Sequence, residues 1–246
     1  HATLLPEDFF EPQMDYVVVG EGVYPFNLLV EAVENGHEVP EIPGLYRRSE
    51  EGFTLDAPPR EFEIESLPFP DRQITLQDRS SYFIDWMSPV ALLRSTVGCP
   101  YRCTFCSLWR IMDKRYHKRA TEKVVEELLG IQEEYVFLID DEAFIDGPRM
   151  IELARAIKAA GIRKRFFAYC RVDSIIREQE VLREWTDIGL ERLMVGIDAI
   201  SEKDLTEYKK AYGSSRIEEA LEIADKLGIE ILAQFVVNTD YTKKDF

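Results

Sequence analysis

The sequence predicts an α/β fold built around a parallel sheet, either a barrel or an open sheet. Short runs rich in β-branched and aromatic residues recur along the second half of the 246-residue chain. Most are followed by an amphipathic helical stretch of about ten to fifteen residues. Strands that alternate with helices in this way form βαβ units with right-handed crossovers. Counted from Ala91, five such strands precede the end of the sequence.

One further βα unit is predicted near the first residue. The apolar run 14–19, closed by Gly20, predicts a buried parallel strand and its exit loop. Residues 24–35 carry apolar positions at helical spacing, and Gly36 is a suitable C-terminal cap. A single βα unit cannot bury both of its faces. We therefore expect residues 1–37 to be the remnant of a doubly wound α/β domain, with an extension that packs on the barrel as the alternative.

Residues 38–89 are predicted to be a linker, because they contain seven of the twelve prolines and little sustained periodicity. Such a segment is ordered by docking and not by its own hydrogen bonds. A small hairpin is predicted within it, from residues 42–48 and 52–55. We expect no chemistry in this linker. The third segment, 90–246, contains the alternating strands and helices.

The barrel segment begins with the apolar run 90–97. The later predicted strands cover residues 135–139, 165–170, 192–197 and 229–237. The predicted helices cover residues 121–132, 148–160, 178–189, 202–212 and 216–228. In βα barrels the residues that do chemistry lie at the carboxyl ends of the strands. The residues that follow each predicted strand are therefore candidates for the site.

Composition excludes several classes of protein. The net charge of −16 argues against a general nucleic-acid binder, which needs cations to displace the counterions around phosphate. No run of eighteen apolar residues predicts a membrane span. Hydrophobic residues make up 46% of the chain, which is enough for a sizeable core. With only four cysteines, three of them clustered, a disulfide framework is not expected and a reducing cytoplasm is the expected location.

The clustered cysteines are Cys99, Cys103 and Cys106, spaced C-x3-C-x2-C on a loop that leaves the first predicted strand. Thiolates this close in sequence can converge on one metal centre. Structural zinc sites close with four ligands, whereas a site with three protein ligands keeps one position open for chemistry. The spacing leaves two alternatives: a zinc site that recruits Cys170 or His117 as a fourth ligand, or three thiols without a metal.

This C-x3-C-x-aromatic-C loop resembles the signature of the radical SAM enzymes. In that family three cysteines hold a 4Fe-4S cluster, whose fourth iron binds the amino and carboxylate groups of S-adenosylmethionine. The resemblance implies that Cys99, Cys103 and Cys106 are cluster ligands and that Phe105 lies against the adenine. It also implies a partial (β/α)6 TIM-like barrel. We expect this chain to stop near the fifth strand of that barrel and to be a piece of a longer enzyme.

Further cofactor contacts are implied at the strand ends. Asp140, Asp141 and Glu142 follow the second barrel strand, where the family binds the amino group of S-adenosylmethionine. Three adjacent carboxylates also repel one another unless a cation shares the site. Arg171, after the third strand, is placed to meet the cofactor's carboxylate, which its planar fork suits. Asp198, after the fourth, takes the place of a glutamate near the ribose.

Some of the strand-end positions also suit purely structural roles. The acidic run 140–142 fits a helix N-terminus with a solvated first turn. Cys170 is expected to be a buried small residue near a strand end and not a ligand. After the fifth strand, residues 238–240 replace the commoner Gly-x-Pro of the subfamily, although residues 242–246 resemble the phrase that follows it.

The segment 102–119 is basic in an otherwise acidic protein. It contains six cations and a single acid, Asp113. A basic segment beside the cluster loop suits an anionic group such as a substrate phosphate or carboxylate, or a corrinoid side chain. The alternative is a solvated loop that pairs with the acidic helix that follows. His117, within this segment, is expected to be a surface residue and not an acid–base catalyst.

The turn at residues 1–3 (His-Ala-Thr) and the strand at residues 15–22 (Asp-Tyr-Val-Val-Val-Gly-Glu-Gly) resemble the closing part of the cobalamin-binding domain that precedes the barrel in one radical SAM subfamily. The linker, with its run 67–72 (Leu-Pro-Phe-Pro-Asp-Arg), resembles the segment that connects the two domains there. The family's Asp-x-His-x-x-Gly motif, whose histidine can ligate cobalt, would lie before His1. We therefore expect cobalamin in the full-length protein and not in this fragment. The resemblance implies reductive cleavage of S-adenosylmethionine to a 5′-deoxyadenosyl radical, and methyl transfer to a small-molecule substrate. An electron donor such as flavodoxin or ferredoxin is the implied partner.

Two other functions remain open from the sequence. One is a tRNA-modifying, methylthiotransferase-like radical SAM enzyme, which predicts an added basic RNA-binding domain. The other is a non-catalytic zinc-binding module, which predicts zinc and no cleavage of S-adenosylmethionine. Cyclisation and rearrangement are also known in the cobalamin-linked subfamily. The motifs therefore do not fix the overall reaction, and they do not give the substrate.

Overall fold

The chain divides into two compact units in a computed structural model that describes residues 2–237, 239, 241 and 242. The first unit comprises His1–Glu63 with Arg110–Asp113, and the second comprises Ile64–Trp109 with Lys114–Phe246. The predicted segments 1–37, 38–89 and 90–246 stay a prediction about domain organisation. Along the described chain, the compact units change after Glu63, after Trp109 and after Asp113.

The first unit contains one helix and a three-stranded antiparallel sheet in the order β1-β2-β3. Its elements are β1 (Tyr16–Val18), α1 (Val23–Glu34), β2 (Leu45–Ser49) and β3 (Gly52–Leu55), with a 3-10 turn at Pro6–Phe9. The core of this unit is formed by Leu29, Ile42 and Leu45. The hairpin predicted within the linker is confirmed, because β2 pairs antiparallel with β3.

The prediction of a parallel strand at residues 14–19 is wrong in its direction of pairing. The strand β1 pairs antiparallel with β2, with Val17 opposite Tyr46. A β-branched apolar run specifies a strand but not the direction of its neighbour. Here the neighbour is the first strand of the hairpin, which the sequence pattern places in a separate linker.

The second unit contains the remaining elements of the described chain. They are β4 (Val90–Leu93), β5 (Thr96–Val97), α2 (Leu108–Ile111), β6 (His117–Lys118), α3 (Thr121–Gly130), β7 (Tyr135–Leu138), α4 (Gly147–Ala159), β8 (Arg165–Cys170), α5 (Val172–Arg177), α6 (Gln179–Thr186), β9 (Leu190–Asp198), α7 (Glu202–Glu207), α8 (Ser214–Leu227) and β10 (Glu230–Phe235). Two 3-10 turns, Ile64–Ser66 and Leu76–Ser81, precede β4. The helix α2 has its last two residues in the first unit.

Five of these strands form a parallel sheet in the order β10-β9-β8-β7-β4. Every neighbouring pair is parallel, with Leu93 opposite Leu138 and Leu138 opposite Ala168. Successive residues of a strand point to opposite faces of the sheet. Ala91 and Leu93 belong to the large core formed with the helices, whereas Val90 packs with Phe137 and Phe167 in a separate cluster. The predicted α/β fold with five parallel barrel strands is confirmed.

Capping residues define the ends of three helices. The side chain of Asp146 accepts a hydrogen bond from the Arg149 amide at 3.2 Å and caps α4. Ser201 caps α7 in the same way, accepting from the Asp204 amide at 3.1 Å. Gly228 ends α8 in the left-handed conformation that favours glycine.

Other boundaries differ from the prediction. The run 90–97 is divided, because β4 ends at Leu93 and β5 pairs antiparallel with β6. The helix α7 ends at Glu207 and does not continue to residue 212, since Lys209 adopts a φ of +56° that no helix tolerates. The short helix α5, directly after β8, does not follow from the periodicity of the sequence. Among the described residues, no helix combines the length and apolarity that crossing a membrane requires.

Candidate functional site

The three clustered cysteines line one cavity in the second unit. Its volume is about 150 Å³, and it lies at the carboxyl ends of β7, β8 and β9. Among the residues that surround it are Cys99, Tyr101, Cys103, Phe105, Cys106, Trp109, Asp141, Glu142, Cys170, Arg171, Asp198 and Lys210. Most of the sequence-predicted site residues are therefore brought together at one place.

The cysteine loop begins at Gly98, whose backbone has a φ of +95°. A Cβ atom at this position would lie 2.2 Å from the Arg115 carbonyl oxygen, so only glycine fits. The Gly98 amide donates a hydrogen bond to the Asp141 carboxylate at 2.8 Å. This bond ties the start of the loop to the end of β7.

The far side of the loop is held by α7. The Thr104 hydroxyl donates to the Glu207 carbonyl at 3.0 Å, and the Thr104 amide donates to the Tyr208 carbonyl at 3.3 Å. Within the loop, the Cys106 amide donates to the Cys103 carbonyl at 3.1 Å. The loop that carries the thiols is therefore anchored at both ends.

All four cysteines are free thiols, and Cys103 and Cys170 are buried. Burial raises the pKa of the Cys99 thiol to about 11, an effect that the nearby Arg171 charge only partly offsets. A thiolate binds metal, so positive charge from a bound metal centre is needed to deprotonate such a group at neutral pH. Among the described residues, no group of three or more Cys, His, Asp and Glu side chains is arranged to hold a single metal ion.

Glu142 is the buried carboxylate of this cavity. Its side chain is 1% exposed, and neither carboxylate oxygen has a hydrogen-bond partner of good geometry among the described residues. Burial raises its pKa to about 7, although the Ser174 hydroxyl and the Arg171 charge oppose that shift. A buried carboxylate left in this state suits a cationic ligand group, because pairing would recover the cost of its burial.

Asp140, two residues earlier, has a different environment. It is fully buried, and its carboxylate accepts hydrogen bonds from the Ser95 amide at 2.6 Å and the Thr96 amide at 2.8 Å. It does not line the cavity within the described chain. The expectation that Asp140 contacts a cofactor therefore has no support in its geometry, because its oxygens are already used to join the end of β7 to β5. The neighbouring Asp141 does line the cavity.

The guanidinium group of Arg171 has protein partners for two of its nitrogens and none, among the described residues, for the third. Its Nε donates to Asp173 at 2.9 Å, and Nη1 lies 3.6 Å from the Cys103 sulfur. The guanidinium carbon lies 3.6 Å from the centroid of the Tyr101 ring. Its Nη2 is buried and lacks a partner within the described chain. Arg171 can therefore donate a charge-assisted hydrogen bond to an anionic ligand group.

The opposite wall contains a buried ion pair between Asp198 and Lys210. Their side chains are 11% and 4% exposed, and both line the cavity. The Lys210 ammonium also lies 5.7 Å from the centroid of the Phe105 ring. Phe105 itself is 47% exposed and packs edge-on against Tyr208, which leaves ring surface available to a ligand.

Comparisons with known proteins show which family the chain belongs to. Residues 93–246 match the family model described as the Radical SAM superfamily. This chain belongs to the radical SAM superfamily. Its relatives include a hopanoid C-3 methylase of Methylococcus capsulatus, which is 32% identical over 97% of this chain and 45% of the relative. An anaerobic magnesium-protoporphyrin IX monomethyl ester cyclase of Synechocystis is 25% identical over 96% of the chain and 48% of the relative.

Solved structures show the same fold. The cobalamin-dependent S-adenosylmethionine radical enzyme OxsB, with aqua-cobalamin and S-adenosylmethionine bound, superposes with a TM-score of 0.78 and 20% identity. That match covers 96% of this chain and 35% of OxsB. The radical S-adenosylmethionine methyltransferase TsrM from Kitasatospora setae gives a TM-score of 0.67 at 20% identity, over 94% of this chain and 46% of TsrM. The chain spans about half the length of the curated relatives it matches, or less.

Within this radical SAM chain, sequence reasoning missed Lys210. The periodicity predicts a helix through residue 212, in which Lys209 and Lys210 are equivalent polar positions. The helix ends earlier, and only Lys210 turns into the cavity. No signal in the sequence separates the two lysines, because the distinction depends on the backbone turn at Lys209.

The remaining predictions have mixed outcomes. Lys118 and Arg119 of the basic segment form ion pairs with Asp146 and Glu127. For Arg119 this is the predicted pairing with the acidic helix that follows. His117 lies in β6 opposite Val97. The zinc-binding alternative stays a prediction. Asn238, Asp240 and the final run 243–246 lie outside the described residues.

Proposed function

We propose that this chain is the catalytic part of a radical SAM methyltransferase, and that Cys99, Cys103 and Cys106 bind its 4Fe-4S cluster. The observation that carries the proposal is one cavity lined by three free thiols, a buried carboxylate without a good partner and an arginine with an unused nitrogen. Family membership supplies the reaction class, and the cavity supplies residues that fit it.

The residues suit the amino-acid end of S-adenosylmethionine. Glu142 is placed to pair with its ammonium group and Arg171 to donate to its carboxylate, so each buried polar group would gain the partner that it lacks. The ring of Phe105 is available to the adenine, and Asp198 with Lys210 forms the polar wall assigned to the ribose side. Asp141 holds the loop through the Gly98 amide.

When bound, a reduced 4Fe-4S cluster supplies the electron that cleaves S-adenosylmethionine to methionine and a 5′-deoxyadenosyl radical. The chain's own part is to keep the thiols and the cofactor's polar groups in register. Two anchors do this: the Asp141–Gly98 bond at one end of the loop and the Thr104 bonds at the other. An enclosed site also limits the access of water and oxygen to a reactive intermediate.

Methyl transfer is the overall reaction that we propose for the whole protein, with cobalamin as the further cofactor. The hopanoid methylase is 32% identical, whereas the cyclases are 25% to 27% identical. OxsB and TsrM, which share the fold, were solved with cobalamin bound. Bound cobalamin supplies a carrier for the methyl group. A small-molecule substrate, a one-electron donor such as flavodoxin or ferredoxin, and a reducing cytoplasm complete the proposal.

The test is anaerobic reconstitution with iron and sulfide, followed by dithionite reduction and an assay for 5′-deoxyadenosine. We expect about four irons per chain and deoxyadenosine formation. Cys103→Ala should lose both, whereas Cys170→Ala should keep both, because Cys170 is proposed to be a buried neighbour and not a ligand. Zinc bound in place of iron, or equal activity of the Cys103→Ala protein, would disprove the assignment.

A second assay tests the overall reaction in the longer protein. Methyl transfer from S-adenosylmethionine leaves S-adenosylhomocysteine, whereas cyclisation or rearrangement does not. We expect S-adenosylhomocysteine to accumulate with the methylated product when cobalamin is supplied. Deoxyadenosine without S-adenosylhomocysteine would favour the cyclase type of reaction.

A further inference from the structure

A second and larger cavity lies in the same unit as the cysteines. Its volume is about 680 Å³, within the range of about 300–1,000 Å³ that is usual for sites of drug-sized ligands. Its walls are formed by the segment that precedes β4, by β4 and the residue that follows it, by residues before and within α3, and by Ile139 directly after β7. Among the described residues that line it there is no cysteine.

The walls of this cavity are mainly apolar. Ile64, Tyr82, Phe83 and Ile84 come from the segment before β4, and Val90 and Leu92 come from β4 itself. Several of these side chains are left open to solvent, with Phe83 64% exposed, Leu92 47% and Tyr82 41%. An apolar concave surface of this size is uncommon unless something binds there.

Four arginines and one carboxylate, Glu127, are among the described residues that line the cavity, and three of the arginines have a carboxylate partner. Glu127 is 6% exposed and accepts hydrogen bonds from Arg72 at 2.6 Å and from Arg119 at 2.6 Å. Arg79 is paired with Glu133. Arg72, Arg79 and Arg119 already have carboxylate partners, so an anionic ligand would have to compete with these ion pairs, although the buried Nη2 of Arg79 makes no hydrogen bond of good geometry within the described chain. Of the described cations that line the cavity, Arg94 is the one without a carboxylate partner, and it is exposed to solvent.

Two segments of the chain connect this cavity to the candidate active site. Leu92 lies in β4, which leads within seven residues to Cys99, and Ile139 directly follows β7 and precedes Asp140. Val90 and Leu92 of β4 and Ile139 after β7 therefore line the larger cavity, whereas residues that follow these two strands further along the chain line the smaller one. A ligand in the larger cavity would lie along strands whose carboxyl ends hold the proposed cofactor site.

We propose that this cavity binds the body of a neutral, largely apolar small molecule of drug-like or sterol-like size, which is the substrate of the enzyme. The assignment as substrate rests on the proposed function, whereas the binding of a neutral apolar molecule does not. Apolar walls, three arginines that already have carboxylate partners and a volume of about 680 Å³ favour this ligand class over an anion or a peptide.

The probe for this site is N-phenyl-1-naphthylamine, a neutral apolar fluorophore, titrated into the cluster-loaded chain. We expect saturable binding at one site. Phe83→Asp places a charge in the apolar wall, and Leu92→Trp fills part of the space without adding charge. Each should weaken binding at least tenfold. Ile74→Asp is the matched control, because Ile74 is 80% exposed in the same segment but does not line the cavity.

Three results would overturn the proposal: no saturable binding, binding by Phe83→Asp and Leu92→Trp that equals that of the unsubstituted chain, or tighter binding of the anionic 1-anilinonaphthalene-8-sulfonate that is lost in Arg94→Gln. The last result would assign the site to an anion. The Cys103→Ala protein separates this proposal from the proposed function. It should bind the neutral probe normally while forming no deoxyadenosine. If no deoxyadenosine forms, binding of the neutral probe still tests the assignment of the cavity.

Discussion

Asp140 and Ser95 are joined by two hydrogen bonds, from the Ser95 amide to Oδ1 at 2.6 Å and from the Ser95 hydroxyl to Oδ2 at 2.5 Å. The Ser95 carbonyl and hydroxyl are in turn contacted by the buried guanidinium of Arg149, at 3.2 and 3.3 Å. Asp140 is therefore a structural residue that fixes where the chain leaves β4 and turns toward the cysteines. Its role follows from partners that lie about 45 residues earlier in the sequence.

Asp140→Ala should destabilise the fold. The substitution leaves two amides and a hydroxyl without an acceptor in a buried place, and each such group costs about 1–3 kcal/mol. We expect the free energy of unfolding to fall by roughly 2–4 kcal/mol, less than the sum of these costs because the variant no longer buries a carboxylate, measured by urea denaturation. Asp225→Ala, on the exposed face of α8, is the control and should change it by less than about 0.5 kcal/mol. Equal stability of the two variants would contradict the assignment.

Glu142 should make the stability of the iron-free chain depend on pH. Its pKa is about 7 in the folded chain against 4.5 for the ordinary group, and burial is the main cause. Between these values the folded chain binds a proton that the unfolded chain has lost. Stability should therefore fall as pH rises from 4.5 to 7 and level off above pH 7, by a total of roughly 3 kcal/mol.

Glu142→Gln should remove most of that slope, because glutamine does not titrate. The measurement is urea unfolding of both proteins at pH 5 and pH 8, and the difference between the two pH values is the quantity compared. The variant should also be the more stable of the two at pH 8, since it no longer buries a charge without a good partner. A slope that survives in Glu142→Gln would show that another group causes it.

Sequence reasoning located the fold better than it located the individual contacts. The strands and helices of the barrel follow from hydrophobic periodicity, which depends on local alternation and can be read along the chain. The direction in which β1 pairs could not be read, because it depends on a partner that lies about 30 residues later. The same limit applies to Asp140, whose acceptor role depends on Ser95 and Thr96.

The residues of the candidate site could likewise be predicted only in part. The cysteine spacing identified the thiols, and the strand-end rule identified Asp141, Glu142 and Arg171, all of which line the cavity. Which carboxylate of the run 140–142 is left without a good partner could not be predicted, because it depends on tertiary hydrogen bonds. Lys210 was missed because its orientation depends on one backbone turn.

Arg171→Lys should weaken the binding of S-adenosylmethionine to the cluster-loaded chain. Lysine keeps the charge but loses the planar group that stacks on Tyr101 and donates to Asp173 while leaving Nη2 for a ligand. A hydrogen bond to a charged group contributes about 1.5–3 kcal/mol, so the dissociation constant should rise roughly ten- to a hundredfold.

The measurement for this prediction is anaerobic equilibrium dialysis with labelled S-adenosylmethionine. Arg177→Lys is the matched control, because Arg177 also lies near Asp173 but is 44% exposed and does not line the cavity. We expect its affinity to stay within about twofold of the unsubstituted chain. If both variants bind alike, Arg171 does not contact the cofactor.

Lys210→Met should reveal the cost of leaving Asp198 buried without its partner. The two side chains are 4% and 11% exposed, so Asp198 cannot recover full hydration when the ammonium is removed. Removal of one partner of a buried ion pair typically costs about 3–5 kcal/mol, and we expect roughly 3 kcal/mol here because the pair borders a cavity.

The double variant Lys210→Met with Asp198→Asn should recover most of that loss, since it buries no unpaired charge. Urea unfolding of the unsubstituted chain, Lys210→Met, Asp198→Asn and the double variant measures the coupling. Lys226→Met, on the exposed face of α8, is the control and should change stability by less than about 0.5 kcal/mol. A double variant as unstable as Lys210→Met alone would mean that Lys210 stabilises the fold through its packing near Phe105 and Tyr212 and not through the charge of Asp198.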